Sequence, residues 1–364
     1  MSPPSPTSLL QIALGAYSAG VLGSLLAMRR ERLANLVGFG CAGVASVCGI
    51  AAALLALTLE PAPRTFELWP SLLPSVRLGV KLDPLSAFFV LIVSVLALAL
   101  SVYSFGYVRG FYGRKNVGAL GALYNALLLA TTLVFTASNA LFFLIAWELM
   151  ALTAYCLVSF EHEQAETRNA GVLFFIMSHL GTGCLILGFL LLFQASGQAL
   201  GGFGPEAYSF EGFRALGDKL SPGRRDAAFV LFLLGFGVKA GIVPLHIWLP
   251  AAHPVAPSNA SALLSGVMIK TGIYGLTRVL FDFLGTPPNW WGVTVLTIGT
   301  VSAVLGVLYA LMEHDLKRLL AYHSIENIGI ILMGLGAASM FLHTNHPVLA
   351  APSPIRMMPM FSML

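Results

Sequence analysis

Charged residues are scarce in this chain, and their scarcity excludes most classes of soluble protein. Only 10% of the 364 residues are Asp, Glu, Lys or Arg, whereas 57% are hydrophobic. This composition is typical of polytopic membrane proteins and excludes a soluble globular enzyme. Long polar stretches are also missing, since the longest ones, near 59–83 and 197–225, are too short to build a hydrophobic core alone. We therefore expect a membrane bundle without a separate soluble domain.

Motifs for cofactors are missing as well. The four cysteines lie inside apolar runs without CxxC spacing, which argues against disulfides, iron–sulfur ligands and a zinc site. There is no haem-binding CxxCH and no dinucleotide-binding glycine loop. We expect no cofactor, no metal and no redox centre in this chain, and nothing in it predicts a nucleic-acid partner. The opening MSPPSPTSLLQIALG lacks a basic n-region, which predicts a first transmembrane helix rather than a cleaved signal.

Long apolar runs fill the rest of the sequence. A bilayer core requires about 20 apolar residues per helix, so the sequence predicts an all-α polytopic bundle of about ten transmembrane helices. The predicted spans are 8–28, 34–58, 84–108, 118–137, 140–160, 169–195, 227–250, 258–281, 291–312 and 322–343. Between the second and third spans, the proline-rich stretch 59–83 predicts an extended or hairpin cover on the outer face.

Positive charges in short loops predict the orientation. Arginines and lysines follow the first and third spans, and alternation of the spans places Arg168, Lys317 and Arg318 on the same side. If these loops are cytoplasmic, the amino terminus faces outward, as expected for a multi-pass protein of the cell inner membrane. One conflict stands, because the loop 197–225 falls outside yet carries Arg214, Lys219, Arg224 and Arg225.

Three ionisable residues lie near the middle of predicted spans: Glu148 in AWELMAL, Lys239 in GFGVKAG and Lys270 in VMIKTGI. A charge at bilayer depth costs roughly 2.5 kcal/mol or more, so such residues indicate a path for protons. For Glu148 and a lysine, the alternative is a structural ion pair that locks helices together. Lys270 precedes Thr271 and Gly272, and such small residues allow close helix approach and internal hydration.

A helix break is predicted beside Lys239. Pro244 removes an N–H donor and clashes with the preceding turn, and the freed carbonyl must be satisfied by protein or water. We therefore expect a polar cavity at this point. His246 precedes the segment LPAAHPVAP and His253 lies within it, and the prolines of this segment are expected to exclude a regular helix. A neutral imidazole can pass a proton in either direction, but His253 can equally be a loop residue that caps backbone.

His323 and Glu326, in AYHSIENIG, are three residues apart and therefore share a helix face near a membrane boundary. They are candidates for an entry or exit pair for protons. An interfacial salt bridge or a cap is the alternative.

The segments WELMALTAYCLVSFE, GFGVKAGIVPLHIWLPAAHPVAPSNASALLSGVMIKTGIYGL and DLKRLLAYHSIENIGI resemble the antiporter-like membrane subunits of respiratory complex I, membrane-bound hydrogenases and multisubunit cation/proton antiporters. The resemblance covers roughly 80–340, and HSIEN and SFEHE are most similar to the hydrogenase-4 and formate hydrogenlyase type. It implies that Glu148 and Lys239 form a charge pair coupled to proton movement. It also implies that His246, His253 and Lys270 continue a central polar axis.

The family fold that this resemblance implies has two inverted five-helix repeats with broken helices in corresponding places. Residues 1–117 would form three amino-terminal helices with an extracytoplasmic loop, and 118–281 a complete repeat. Residues 282–343 would begin a second, incomplete repeat, and 344–364, with their prolines and methionines, read as an atypical tail. We expect a shortened protein, a frameshifted end or a split subunit completed by a neighbouring chain.

The predicted function is proton translocation as a subunit of a larger redox complex. Its expected partners are other membrane subunits, a peripheral redox arm, the lipid bilayer and protons, with sodium as the alternative ion. Two other functions stay open. One is a sodium or potassium/proton antiporter module that uses the same residues, and the other is a non-conducting scaffold for the redox arm.

Overall fold

The computed structural model describes residues 5–59, 65–68 and 77–343, which are predominantly α-helical. The longer helices are α1 (Pro6–Leu26), α2 (Glu31–Thr58), α3 (Pro84–Tyr107), α4 (Val117–Thr136), α5 (Ala140–Val158) and α6 (Ala165–Leu200). They are followed by α7 (Phe210–Leu216), α8 (Pro222–Ala240), α9 (Trp248–Val255), α10 (Ser258–Leu263), α11 (Ile269–Arg278), α12 (Asn289–Met312) and α13 (Leu316–His343). The predicted tail 344–364 lies outside the described residues.

Eight of the described helices are long and apolar enough to cross a membrane. They coincide, within a few residues at most ends, with eight of the predicted spans, and α6 is longer by about a turn at each end. The remaining two predicted spans correspond to α8 with α9 and to the continuous helical stretch from α10 to Phe283. The all-α polytopic prediction is therefore confirmed.

Local capping signals fix where several helices begin. The side chains of Asp83, Asn116 and Asn139 each accept a hydrogen bond from the backbone N–H three residues ahead, at 2.9 Å. Such a cap satisfies one of the amide donors that the first helical turn leaves free, and it stabilises a helix by about 1 kcal/mol. These caps set the beginnings of α3, α4 and α5, so loop residues define the ends of the membrane helices.

A small sheet lies between α2 and α3 along the chain. Strand β1 (Thr65–Glu67) pairs antiparallel with β2 (Gly79–Lys81). The amide of Asn139 donates to the carbonyl of Arg77 at 2.8 Å, which holds this end of the sheet to the start of α5. The hairpin prediction is confirmed for the described residues of this stretch, whereas 60–64 and 69–76 lie outside them.

The chain divides into two compact units. The first consists of Met1–Phe175 and Val255–Met268. Within it, α2 and α4 cross where two glycines face each other, since a Cβ added to Gly38 would lie 3.2 Å from the Cα of Gly121. The buried amide of Asn125 donates to the carbonyls of both glycines at 2.8 Å. Small residues therefore bring these backbones into contact, and one polar side chain ties them together.

The second unit consists of Ile176–Pro254 and Ile269–Leu364. Within it, α12 and α13 form an antiparallel pair whose contact surface is made largely of glycine. A Cβ added to Gly299 would lie 2.8 Å from the carbonyl oxygen of Gly329, and one added to Gly306 would lie 2.7 Å from the nitrogen of Glu326. Backbone-to-backbone packing of this kind requires residues without side chains at the crossing.

The three arginines of the stretch 197–225 have structural partners in this second unit. Arg214 binds Asp282 through two hydrogen bonds of 2.6 and 2.8 Å, and the guanidinium of Arg225 lies over the ring of Trp291. Arg224 donates to the side chain of Gln198. These contacts explain the positions of the arginines within the second unit, and the conflict with the predicted orientation stands.

Candidate functional site: a broken helix with buried basic residues

The predicted helix break follows Lys239 directly. Helix α8 ends at Ala240, and Gly241 adopts the left-handed conformation with φ of 75°. The backbone N–H groups of Gly241 and Ile242 both donate to the carbonyl of Gly237, at 2.9 and 3.1 Å. A left-handed glycine is a common helix terminator, and a proline often follows because it cannot continue the helix. The predicted break is confirmed, and the stop occurs at Gly241, before Pro244.

Protein groups satisfy the backbone at this break. The indole N–H of the buried Trp248 donates to the carbonyl of Val238 at 2.8 Å. The backbone N–H of Val243 donates to the hydroxyl of Ser302 on α12 at 3.0 Å. The sequence predicts that the freed backbone groups at the break need hydrogen-bond partners, but it does not identify Trp248 or Ser302. A tryptophan or a serine in an apolar run does not indicate which distant backbone group it contacts.

One prediction about the following segment is wrong. The prolines of LPAAHPVAP were expected to exclude a regular helix, yet Trp248–Val255 forms α9. Pro250 lies in the first turn, where the backbone N–H has no intrahelical acceptor to lose, and Pro254 lies at the last turn. His253 is therefore a helix residue, 2% exposed, and not a loop residue. This placement removes the loop-capping alternative for His253.

Lys239 is buried, with only 2% of its surface exposed. It occupies the last turn of α8, where the carbonyl end of the helix dipole favours a positive charge. Helix α11 packs closely here, because a Cβ added to Gly272 would lie 2.6 Å from the carbonyl oxygen of Phe236. The close helix approach expected beside Lys270 is thus present between α11 and α8. The fold holds the ionisable side chain of Lys239 inside the protein at the end of α8.

Two lysines of the second unit, Lys270 on α11 and Lys317 on α13, lie near His253. The ammonium of Lys317, on α13, also donates to the carbonyl of Pro254 at 3.1 Å, at the end of α9. From the sequence, Lys317 serves only as a loop charge that predicts the membrane orientation, and its place in the candidate site is not predicted. The lysine is visible in the motif DLKR, but only the fold brings it to the end of α9.

The helical stretch that carries Lys270 is irregular on both sides of it. Leu264–Met268 and Val279–Phe283 are π-helical turns, and α11 lies between them. A π-helical turn costs regular hydrogen bonding and is frequent at functional sites. Lys270 itself is partly buried.

Two further predicted site residues form a direct contact. The Nδ1 atom of His323 lies 2.6 Å from a carboxylate oxygen of Glu326, both on α13, and both side chains are partly exposed. The shared helix face is confirmed, while its role at an entry or exit stays a prediction. His246 lies in the break between α8 and α9, half-buried, and its carbonyl accepts the N–H of Leu249 at the start of α9.

Glu148 lies in the middle of α5, in the first compact unit, and one of its carboxylate oxygens is fully buried. Lys239 belongs to the second unit. The charge pair of Glu148 and Lys239 therefore stays a prediction.

The chain matches a known protein family and several characterised relatives. Residues 137–349 match the family described as NADH:quinone oxidoreductase/Mrp antiporter, transmembrane. Hydrogenase-4 component B from Escherichia coli is 43% identical over 75% of this chain and 39% of its own length. Formate hydrogenlyase subunit 3 from the same organism is 37% identical over 76% of this chain and 42% of its own length. The chain thus spans about two fifths of the length of these relatives.

Solved structures show the same fold. A chain of the Mrp complex from Dietzia sp. superposes with a TM-score of 0.74 over 97% of this chain and 37% of its own length, at 23% identity. A chain of an archaeal membrane-bound sulfane sulfur reductase gives a TM-score of 0.73 over 98% of this chain and 70% of its own length, at 19% identity. Since the family match covers more than half of the chain, this multi-pass membrane protein belongs to the NADH:quinone oxidoreductase/Mrp antiporter family.

Proposed function

We propose that this chain translocates protons as an antiporter-like membrane subunit of a redox-driven complex of the hydrogenase or NADH:quinone oxidoreductase type. The observation that carries the proposal is Lys239, which is buried in the last turn of α8, directly before the helix break. An intramembrane charge is costly to maintain, so its presence favours a function that uses it.

Lys239 is suited to gain and release a proton. A buried ammonium has lost its hydration, and a lysine can lose its charge under such conditions whereas an arginine cannot. The dipole of α8 favours the charged form, so two opposing influences act on one group. A modest movement of a nearby charge can then change the protonation state, and Glu148 is our candidate for that charge.

The basic group around His253 supplies the next positions for the proton. His253, Lys270 and Lys317 lie on three different elements around the end of α9. A neutral imidazole can accept and release a proton, so His253 can pass a proton between the two lysines. We propose that His246, in the break, links Lys239 to this group, and that His323 and Glu326 exchange protons with the aqueous phase.

The redox chemistry would belong to partner subunits. The relatives named above are, by their names, a component and a subunit of larger enzymes. By the same resemblance we propose other membrane subunits and a peripheral redox arm as partners here. We also propose that the complex lies in the cell inner membrane with the amino terminus on the extracytoplasmic side.

Proton uptake into sealed vesicles that contain the assembled complex tests this proposal. The variant Lys239→Ala is compared with Lys219→Ala, which removes an exposed lysine from the loop after α7. We expect uptake to be lost in Lys239→Ala and retained in Lys219→Ala at equal assembly. Unchanged uptake in Lys239→Ala would overturn the relay and favour a non-conducting scaffold.

An antiporter module is the second candidate, because the family and the fold are shared with the Mrp antiporter. It would use the same buried residues with sodium or potassium as the counter-ion. The same vesicles distinguish the two functions. Uptake that requires sodium or potassium on the opposite side, in the absence of any electron donor, indicates the antiporter.

A further inference from the structure

We propose that the first compact unit binds an anionic phospholipid, with one acyl chain in a groove between α2 and α3 and the phosphate at the arginines that flank one end of that groove. The groove has a volume of about 370 Å³. It is lined on α2 by residues from Phe39 to Cys48 and on α3 by residues from Leu98 to Phe105.

The walls of the groove are almost entirely hydrocarbon. The hydroxyl of Ser101 lines it but already donates to the carbonyl of Ala97 at 2.6 Å. Side chains at its edges face outward, with Val102 65% exposed and Val44 57% exposed. An apolar groove of this kind in membrane-spanning helices offers almost no hydrogen-bond partners for water or a polar ligand. Its lining is suited to an acyl chain.

Two glycines form the groove. Gly40 and Gly43 line it, and a Cβ added to either residue would have no atom within 4 Å. These glycines therefore do not serve close helix packing, in contrast to Gly38 on the same helix, and the space that they leave is open.

The length of the groove corresponds to one leaflet. From Phe39 to Cys48 the rise along α2 is roughly 13 Å, and one half of the hydrocarbon core is about 15 Å. The groove thus accommodates most of one acyl chain that descends from the membrane surface.

Arginines lie beyond one end of the groove. Arg32 is about two helical turns from Phe39, and Arg109 is about one turn from Phe105, so both reach the level where a lipid phosphate would lie. Asn35 joins the two helices at this end, since its amide donates to the carbonyl of Phe105 and to the hydroxyl of Tyr112. Three more exposed arginines belong to the same membrane side: Arg29, Arg30 and Arg114.

Positive charges outnumber the acidic residues near this end. Glu31, which accepts a hydrogen bond from the backbone N–H of Gly113 at 2.7 Å, offsets at most one of the five arginines. Lys115 forms an ion pair with Glu163 at 2.6 Å, which lowers the pKa of the Glu163 carboxyl. That lysine is thus occupied, and the arginines provide the excess charge.

Aromatic rings mark the depth of this membrane side. Tyr103 stacks on Tyr107 at 5.3 Å, and Tyr107 contacts Phe111 at 5.5 Å. Tyrosines are enriched at the level of lipid headgroups. The same level on α3 carries Arg109, which agrees with a phosphate at this position and an acyl chain below it.

Lipid retention by the purified full chain tests the proposal. The protein is exchanged in detergent against an equimolar mixture of phosphatidylglycerol and phosphatidylcholine with identical acyl chains, and bound lipids are counted by native mass spectrometry. Two arginines acting on the headgroup predict about a thirtyfold preference for phosphatidylglycerol in the native chain. An equal retention of both lipids would overturn the anionic site.

Matched variants separate the groove from the arginines. Gly43→Leu and Gly40→Leu fill the groove and should abolish the preferential lipid, whereas Gly15→Leu, at an equally open position on α1, should not. Arg32→Gln with Arg109→Gln should remove the headgroup preference, and Lys219→Gln should leave it. The arginine variants alter only exposed side chains, so they report on the site even if a leucine variant fails to fold.

A helix of a partner subunit is the competing occupant of the groove. In that case Gly43→Leu would weaken assembly of the complex, and the isolated chain would retain the same lipids with and without the substitution. That result would overturn the lipid proposal.

Discussion

Several charged side chains of this protein lie in apolar helices, where a charge is unfavourable unless other groups interact with it. The sequence predicts the positions of Glu148, Lys239 and Lys270, because a charge inside an apolar run is visible without a structure. The partners of charges are not visible in the same way. Lys317 reaches the end of α9, and Arg214 reaches Asp282, only through the fold. Prediction from sequence therefore found which residues are unusual, but not which residues they meet.

The ion cluster at Asp282 allows a prediction at this scale. Asp282 binds Arg214 and the buried Arg278, at 2.6 and 2.9 Å. Asp282→Asn should lower the free energy of unfolding by roughly 2 kcal/mol, because it leaves a buried guanidinium without its counter-charge. Thermal unfolding of the purified chain in detergent measures this change.

The control for that substitution is Glu67→Gln, which removes an acid from an exposed pair with Arg77 at 4.0 Å. A surface pair contributes about 0 to 1 kcal/mol, so this variant should unfold close to the native chain. Equal effects of the two substitutions would show that the Asp282 cluster contributes no more than a surface pair.

At the scale of helices and their ends, the sequence predicted the positions of the regular helices but not those of the irregular ones. Hydropathy located the long helices because each needs a continuous apolar run. It did not reveal that α9 is helical across two prolines, since a proline in the first turn of a helix loses no hydrogen bond. It also did not reveal the π-helical turns on both sides of α11, because their sequences are as apolar as those of ordinary helix. The irregular elements are those that place the candidate site.

The crossing of α8 and α11 allows a prediction about packing. Gly272→Ala adds a Cβ that would lie 2.6 Å from the carbonyl oxygen of Phe236 and 2.9 Å from the nitrogen of Ala240. We expect the free energy of unfolding to fall by about 1 to 3 kcal/mol, as for overpacked cores. Proton uptake should fall as well, since the change displaces the turn that carries Lys239.

Gly183→Ala on α6 is the matched control, because a Cβ there meets no atom within 4 Å. Alanine is a better helix former than glycine by up to about 1 kcal/mol, so this variant should be as stable as the native chain or more stable. Opposite signs for the two alanine substitutions are expected in thermal unfolding. A stabilised Gly272→Ala variant would contradict the close helix contact.

At the scale of the whole molecule, the chain is a multi-pass membrane protein whose family is shown by its residues 137–349. Its orientation follows from the arginines around 29–32 and 109–114 if these face the cytoplasm. The order of spans and charges was predictable from sequence, since it depends only on where the apolar runs and the charged residues lie along the chain. The division into two compact units was not, because α6 and the stretch from α10 to α11 are continuous helices that pass from one unit to the other.

Labelling of introduced cysteines with a membrane-impermeant reagent tests the orientation. In a variant with the four natural cysteines replaced, Thr65→Cys should react in intact cells. Arg114→Cys should react only after the membrane is opened. Both positions are exposed, so access of the reagent depends on the side of the membrane. The reverse pattern would contradict the predicted orientation.

We propose that Lys239 works by changing its protonation state. The most direct measurement is proton uptake by vesicles containing the assembled complex with Lys239→Arg, which retains a positive charge but cannot release its proton in a protein. We expect uptake to be lost in Lys239→Arg as it is in Lys239→Ala, at unchanged assembly. Uptake at the native rate in Lys239→Arg would contradict it, because a fixed charge would then suffice.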